Sequence, residues 1–140
     1  MSDIPINLVV EDELSEAVCY KILSESHKPF YIGTTYGKHG YGYIKEKIYG
    51  FNQASKGTPY FILVDLEDEC APLQIENWLV VPKNNNLIFR IAVKEIESWL
   101  LADRKGFSSF LNLLQKIVYF LFTILYRNKK KDFTINQNYF

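Results

Sequence analysis

An α/β domain with a mostly parallel sheet flanked by helices in three layers is the fold this sequence predicts, on three observations. Short apolar, β-branched runs at Ile6–Val10, Tyr60–Val64 and Leu87–Val93 lack the polar alternation of a half-exposed strand, as strands buried on both faces should. Segments with helical apolar spacing fall between them. The resulting β-α-β-α-β order calls for right-handed crossovers between parallel strands. The 140 residues, 48% hydrophobic and 23% charged, suit one domain with a real core.

Each element has its own signal. Residues 5–11 (PINLVVE) form the first strand, and Asp12 is placed to cap a helix running from Glu13 to about His27, with Leu14, Ala17, Val18, Cys19, Ile22 and Leu23 on its apolar face. Phe30–Thr35 reads as a second strand. Beyond the glycine-rich stretch Gly37-Lys38-His39-Gly40-Tyr41-Gly42, the spacing of Ile44, Ile48 and Phe51 predicts a helix of roughly ten residues ending near Gly50–Gly57, with Lys45, Glu46 and Lys47 turned outward. Pro59 introduces the clearest buried strand, Tyr60–Val64. A short helix or turn near Leu73–Trp78, a polar loop at Asn84-Asn85-Asn86, a strand at Leu87–Val93 and a helix over Glu95–Asp103 that buries Ile96, Trp99 and Leu100 complete the pattern.

That pattern defines an α/β domain over residues 1–110. Residues 111–140 differ: Ile117–Tyr126 is a ten-residue apolar run followed by Arg127, Lys129, Lys130 and Lys131. A membrane span needs about twenty apolar residues, and Lys116, Gln115 and Asn112 interrupt any backward extension, so a last helix or strand docked on the core is the preferred reading over a tail anchor. Net charge is zero, which argues against whole-surface attraction to nucleic acid or an anionic membrane; a polyanion must be met locally. Cys19 and Cys70 lack CxxC spacing and no signal peptide precedes Asn7, which points to ordinary thiols in a reducing cytoplasm. The ten Tyr and ten Phe are scattered, and read as packing rather than as a base-stacking platform.

Chemistry concentrates in the acids. Eleven of the sixteen carboxylates lie in three clusters, at 11–16, at 65–69, and at 95, 97 and 103, each following an apolar run. Strands of a parallel sheet open their carboxyl ends onto one crevice, so acids distant in sequence can converge there. Converging carboxylates need a compensating cation. Glu11 closes the first strand, and Asp65 and Glu67, two residues apart in extended backbone, would point the same way; the three match the oxygen ligands of Mg2+, or Mn2+. Asp12, Glu13, Glu16, Asp68 and Glu69 read instead as caps, turns and solvated surface. Glu95 and Asp103 would share a helical face with Trp99 while Glu97 points elsewhere, so Glu97 is the choice for the site, with favourable placement at the helix dipole as the plainer option.

Other chemistries lack their residues. The glycine-rich segment fails the GxxxxGK[ST] pattern, because Gly33 is one residue too near Gly37-Lys38 and His39 replaces the Ser or Thr. His27 and His39 are the only histidines, which disfavours zinc, and GxSxG is absent. Lys38, Arg90 and Lys94 are candidates to hold a phosphate backbone, with a turn before a helix as the bland alternative for Lys38.

The order of Glu after the first strand, Asp-x-Glu after a central strand and a later acidic position resembles the Toprim (topoisomerase–primase) core, also used by OLD-type nucleases. VVEDELSEAV at 9–18, GKHGYGYIKEKI at 37–48, FILVDLED at 61–68 and RIAVKEIESWLLAD at 90–103 look like an uncharacterised bacterial family of Toprim-like proteins, over about residues 5–110. Under this resemblance Glu11 corresponds to the Toprim glutamate, Asp65 with Glu67 to the DxD pair, and Glu97, Trp99 and Asp103 to an EIEAWLLAD-like segment. The chain departs in having Asp12 where many Toprim proteins have glycine, and Glu67 in place of the second aspartate. The resemblance implies metal-dependent cleavage of DNA or RNA, with Glu11, Asp65, Glu67 and Glu97 catalytic, often in prokaryotic phage defence and sometimes beside an ATPase partner; a homo-oligomer is a separate candidate that does not come from the resemblance. The alternatives are a noncatalytic partner module of an ATPase-containing complex, or an inactive remnant, since residues 111–140 depart from the family pattern and fit a truncated or frame-altered end or a lineage-specific helix.

Overall fold

The computed structural model describes residues 3–67, 70–93 and 95–110. The chain divides between Ile96 and Glu97 into two units, and each is described by itself.

In the first unit four strands, β1 (Ile4–Val10), β2 (Phe30–Gly37), β3 (Tyr60–Asp65) and β4 (Leu87–Ala92), form a parallel sheet in the order β2-β1-β3-β4. Three helices, α1 (Glu13–Ser24), α2 (Tyr41–Ala54) and α3 (Ala71–Trp78), lie between them in sequence. Alternate residues of each strand face opposite sides, which builds two cores. On one side Ile6, Leu8, Val10, Phe61 and Leu63 meet Cys19, Leu14 and Val18 of α1. On the other, Val9, Ile62, Val64, Leu87 and Phe89 meet Ile44, Ile48 and Phe51 of α2 and Trp78 of α3. The outcome is helix, sheet, helix.

Local rules explain the boundaries. Asp12 caps α1, its Oδ1 accepting from Ser15 N–H at 2.8 Å, as its position predicts. The predicted α1 overshoots: the helix ends at Ser24, where Glu25 takes the cap position and the chain turns toward Pro29 and β2. In α2, Ile44, Ile48 and Phe51 are buried and Lys45, Glu46 and Lys47 exposed, as expected. Cys19 is a buried thiol whose pKa burial pushes up to about 12, and Cys70 is exposed; both are free.

The segment near residue 96 departs from expectation. Glu95 takes a left-handed φ of 66°, so α4 begins at Ile96 and runs to Ala102. Asp103 also lies outside it. Its carboxylate accepts from Gly106 N–H at 3.0 Å at the start of α5 (Arg104–Phe110), and therefore serves as a cap. The shared face expected for Glu95, Trp99 and Asp103 is thus not formed, because both ends of that stretch leave helical geometry. Ile96 is buried as expected, whereas Trp99 and Leu100 are 42% and 39% exposed. No helix among the described residues is long and apolar enough to cross a membrane. The Ile117–Tyr126 run and the basic stretch after it lie outside the described residues.

Candidate functional site at the carboxyl ends of β1 and β3

The sheet order reverses between β1 and β3: from β1 the chain moves to β2 on one side, then crosses to β3 on the other. Crossovers leaving in opposite directions open a crevice outside the strand ends, the usual binding place in such sheets. Glu11 directly follows β1 and Asp65 is the last residue of β3, so both stand at that switch point.

Their hydrogen bonds stitch the rim. Backbone pairing of β1 with β3 reaches Val10 and Leu63, and the Glu11 side chain then extends the ladder, its Oε1 accepting from Asp65 N–H at 2.8 Å. Asp65 Oδ1 accepts from Ile96 N–H at 3.2 Å. From the β2 side, Lys38 N–H donates to the Val10 carbonyl oxygen at 2.9 Å and Gly40 N–H to that of Glu11 at 3.1 Å. Gly37 makes this approach feasible: its φ is 104°, and a Cβ there would collide with the Val10 carbonyl.

Gln74 holds the other half, and sequence reasoning missed it. It is fully buried on α3, its Oε1 accepting from Glu67 N–H at 2.6 Å while its Nε2 donates to the Asp65 carbonyl oxygen at 2.8 Å. One side chain thus fixes the backbone on both sides of Leu66. The signal lay in spacing: Gln74 is four residues before the buried Trp78 and so shares its inward face. Gln74→Leu is expected to cost about 1–3 kcal/mol, because two partly buried backbone groups lose their partner. Urea unfolding measures it. A loss under about 0.5 kcal/mol would mean that water replaces the amide.

Electrostatics mark Glu11 as the strained acid. Burial raises its pKa from 4.5 to about 7; the Asp65 N–H bond opposes this, while the charges of Asp65, Glu67 and Asp12 add to it. Glu11 therefore feels the other two acids of the expected set. The three do not form a cage, however: among the described residues no three His, Cys, Asp or Glu side chains gather into a group that could hold a metal ion. The reason is local. The pleat expected to align Asp65 with Glu67 stops at Asp65, where β3 ends, and Asp65 Oδ1 is engaged with the start of α4. An all-oxygen set of this kind fits a hard cation held by one or two carboxylates with waters and substrate phosphate, the usual Mg2+ arrangement, rather than an enclosed ion.

The remaining candidates stand on other segments of the chain. Glu97 stands in the first turn of α4, in the second unit. Lys38, at a left-handed φ of 65°, pairs with Glu16 at 2.6 Å, and this bond holds the Glu16 carboxyl below its ordinary pKa. A phosphate would have to displace Glu16. Arg90 lies within β4, two residues short of its end, and its Nη1 donates to the Phe89 carbonyl oxygen at 3.1 Å. Lys94 lies outside the described residues.

Fold and site together define a doubly wound parallel α/β protein with an acidic switch-point crevice. Comparison with protein-family models, with curated proteins and with solved structures finds no match to this chain.

Proposed function

We propose that the protein is a Toprim-like, Mg2+-dependent nuclease, with Mn2+ as an alternative ion, cleaving phosphodiester bonds in the crevice between β1 and β3. The observation that carries this is the Glu11 carboxyl at the end of β1, held on the Asp65 N–H at the end of β3 and pushed to a pKa of about 7 chiefly by burial, with smaller contributions from the charges of Asp65, Glu67 and Asp12. A divalent cation would compensate a carboxylate charged in that setting and offset the smaller repulsion from its neighbours. Glu11, Asp65 and Glu67 would hold the ion, which supplies stabilisation of negative charge developing on phosphate oxygens. The chain's own contribution is placement: Gln74 and the Ile96 N–H fix the Asp65 segment, and the glycine turn fixes Glu11. Lys38, released from Glu16, would hold the phosphate backbone. A role in phage defence beside an ATPase belongs to the same reading.

Purified protein incubated with plasmid, single-stranded DNA and RNA is expected to cleave only with Mg2+ or Mn2+. Glu11→Gln and Asp65→Asn keep an acceptor oxygen for the Asp65 and Ile96 N–H groups but remove charge. Each is expected to lower the rate by more than about a hundredfold, beyond the usual cost of losing an outer-shell partner. Cleavage by neither metal, or full activity in Glu11→Gln, would sink the proposal. A second reading, a noncatalytic partner module, is favoured by the same hydrogen bonds: Glu11 and Asp65 both act as fasteners of the sheet rim. In that case both variants fold, bind the partner and change nothing else.

A further inference from the structure

Beside the crevice, on the side of the sheet covered by α2 and α3, an aromatic and cationic surface has no part in the chemistry above. Tyr41, the first residue of α2, stacks on Trp78, the last of α3, with ring centroids 6.1 Å apart and planes 29° from parallel. Trp78 is buried in the core against Phe89, so it is a fixed support. Tyr41 remains 44% exposed. Lys45, one helical turn further along the same face, places its Nζ 5.8 Å from the Trp78 ring centre. The patch is tethered to the site, because Gly40, the residue before Tyr41, donates its N–H to the Glu11 carbonyl oxygen.

From this placement we infer that Tyr41, backed by Trp78 and flanked by Lys45, is a stacking platform for an unpaired nucleobase next to the Glu11 crevice. The inference rests on the nuclease reading and narrows its substrate to single-stranded nucleic acid, or a strand end. An aromatic ring held from behind loses little freedom when a base lies on its open face, and every base offers a π-face. A neighbouring ammonium supplies the sequence-independent contact to phosphate that such platforms pair with stacking. Bases inside a duplex are already stacked on each other and cannot reach the ring without being turned out. Single-stranded DNA and RNA share this chemistry.

Binding is read by fluorescence anisotropy of labelled oligothymidine, oligouridine and a blunt duplex, in EDTA so that no strand is cut. Wild-type protein is expected to bind either or both single strands in preference to the duplex, and the oligothymidine and oligouridine arms say which. Tyr41→Ala should weaken that binding by about tenfold or more, the loss typical of one stacked base. Tyr41→Phe should retain it, and Tyr31→Ala, an exposed tyrosine on the outer strand β2, should leave it unchanged. Equal loss in Tyr41→Ala and Tyr31→Ala, no loss in Tyr41→Ala, or preference for the duplex would each overturn the inference. Glu11→Gln separates the two claims: if it binds as wild type but no protein cleaves, the nuclease reading falls and the platform stands. Cleavage by wild type with binding indifferent to Tyr41 gives the reverse.

Discussion

Gly37→Ala is expected to cost about 1–3 kcal/mol more than Gly40→Ala, three residues away. Both glycines have positive φ, 104° and 75°, and Gly40 joins it to a ψ of 176°, a region essentially confined to glycine, so both substitutions carry a backbone penalty of about 1–3 kcal/mol. Only Gly37 adds a collision. Its new Cβ would meet the Val10 carbonyl oxygen, carbon and nitrogen, all backbone, whereas nothing lies within 4 Å of the Cβ position at Gly40. Backbone cannot rotate away as a side chain can, so β2 must separate from the end of β1, adding about 1–3 kcal/mol. The Lys38 N–H bond to the Val10 carbonyl would go with it, and the Gly40 bond to Glu11 hangs on the same turn. Urea unfolding of both variants checks the difference. Equal costs would show that φ alone sets the glycine requirement, and that the turn does not brace Glu11 through Val10.

That turn also shows where sequence legibility ends. The strands were readable because Val9, Val10, Ile62 and Leu63 are buried on both faces of a parallel sheet, which removes polar residues from the run. Glu11 and Asp65 were readable because a charge directly after such a run must sit at the sheet's rim. The φ of Gly37 depends on β2 lying beside β1, a pairing of residues about thirty apart, and no local pattern states it. Gln74 fell between categories: a lone polar residue on a short helix reads as solvated unless its partners, the Asp65 and Glu67 backbones, are already placed. Trp99 and Leu100 erred in the other direction. Their spacing from Ile96 fits a buried stripe, yet spacing specifies a helix face and not what covers it. Scattered aromatics read as packing, and among the described residues Phe51, Tyr60, Phe61 and Phe89 are buried; Tyr41 differs through its contact with a tryptophan thirty-seven positions on.

In metal-free buffer the fold is expected to lose about 1–2 kcal/mol as pH rises from about 4.5 to about 7, through Glu11. Its folded pKa of about 7 lies above the unfolded value of 4.5, so between them the folded chain keeps a proton that the unfolded chain has released. Stability from that proton is complete below the unfolded pKa and gone above the folded one. The full shift corresponds to about 3 kcal/mol, reduced here because the group is partly exposed and solvent screens it. Glu16, whose pKa is lowered by Lys38, acts in the opposite sense and in a different window, losing stability only as pH falls below its ordinary range. Glu11→Gln should therefore flatten the profile between these limits and, at about pH 8, exceed wild type by the same 1–2 kcal/mol, because the amide keeps the Asp65 N–H acceptor without the charge. Thermal melts across pH with EDTA test this, and a wild-type slope that Glu11→Gln leaves intact would reject Glu11 as its source. Repeating the melts with Mg2+ separates the two functional readings. A cation at the crevice lowers the Glu11 pKa and returns the lost stability at about pH 8 to wild type but not to Glu11→Gln. A rim fastened by uncompensated acids shows the same pH slope and ignores the metal.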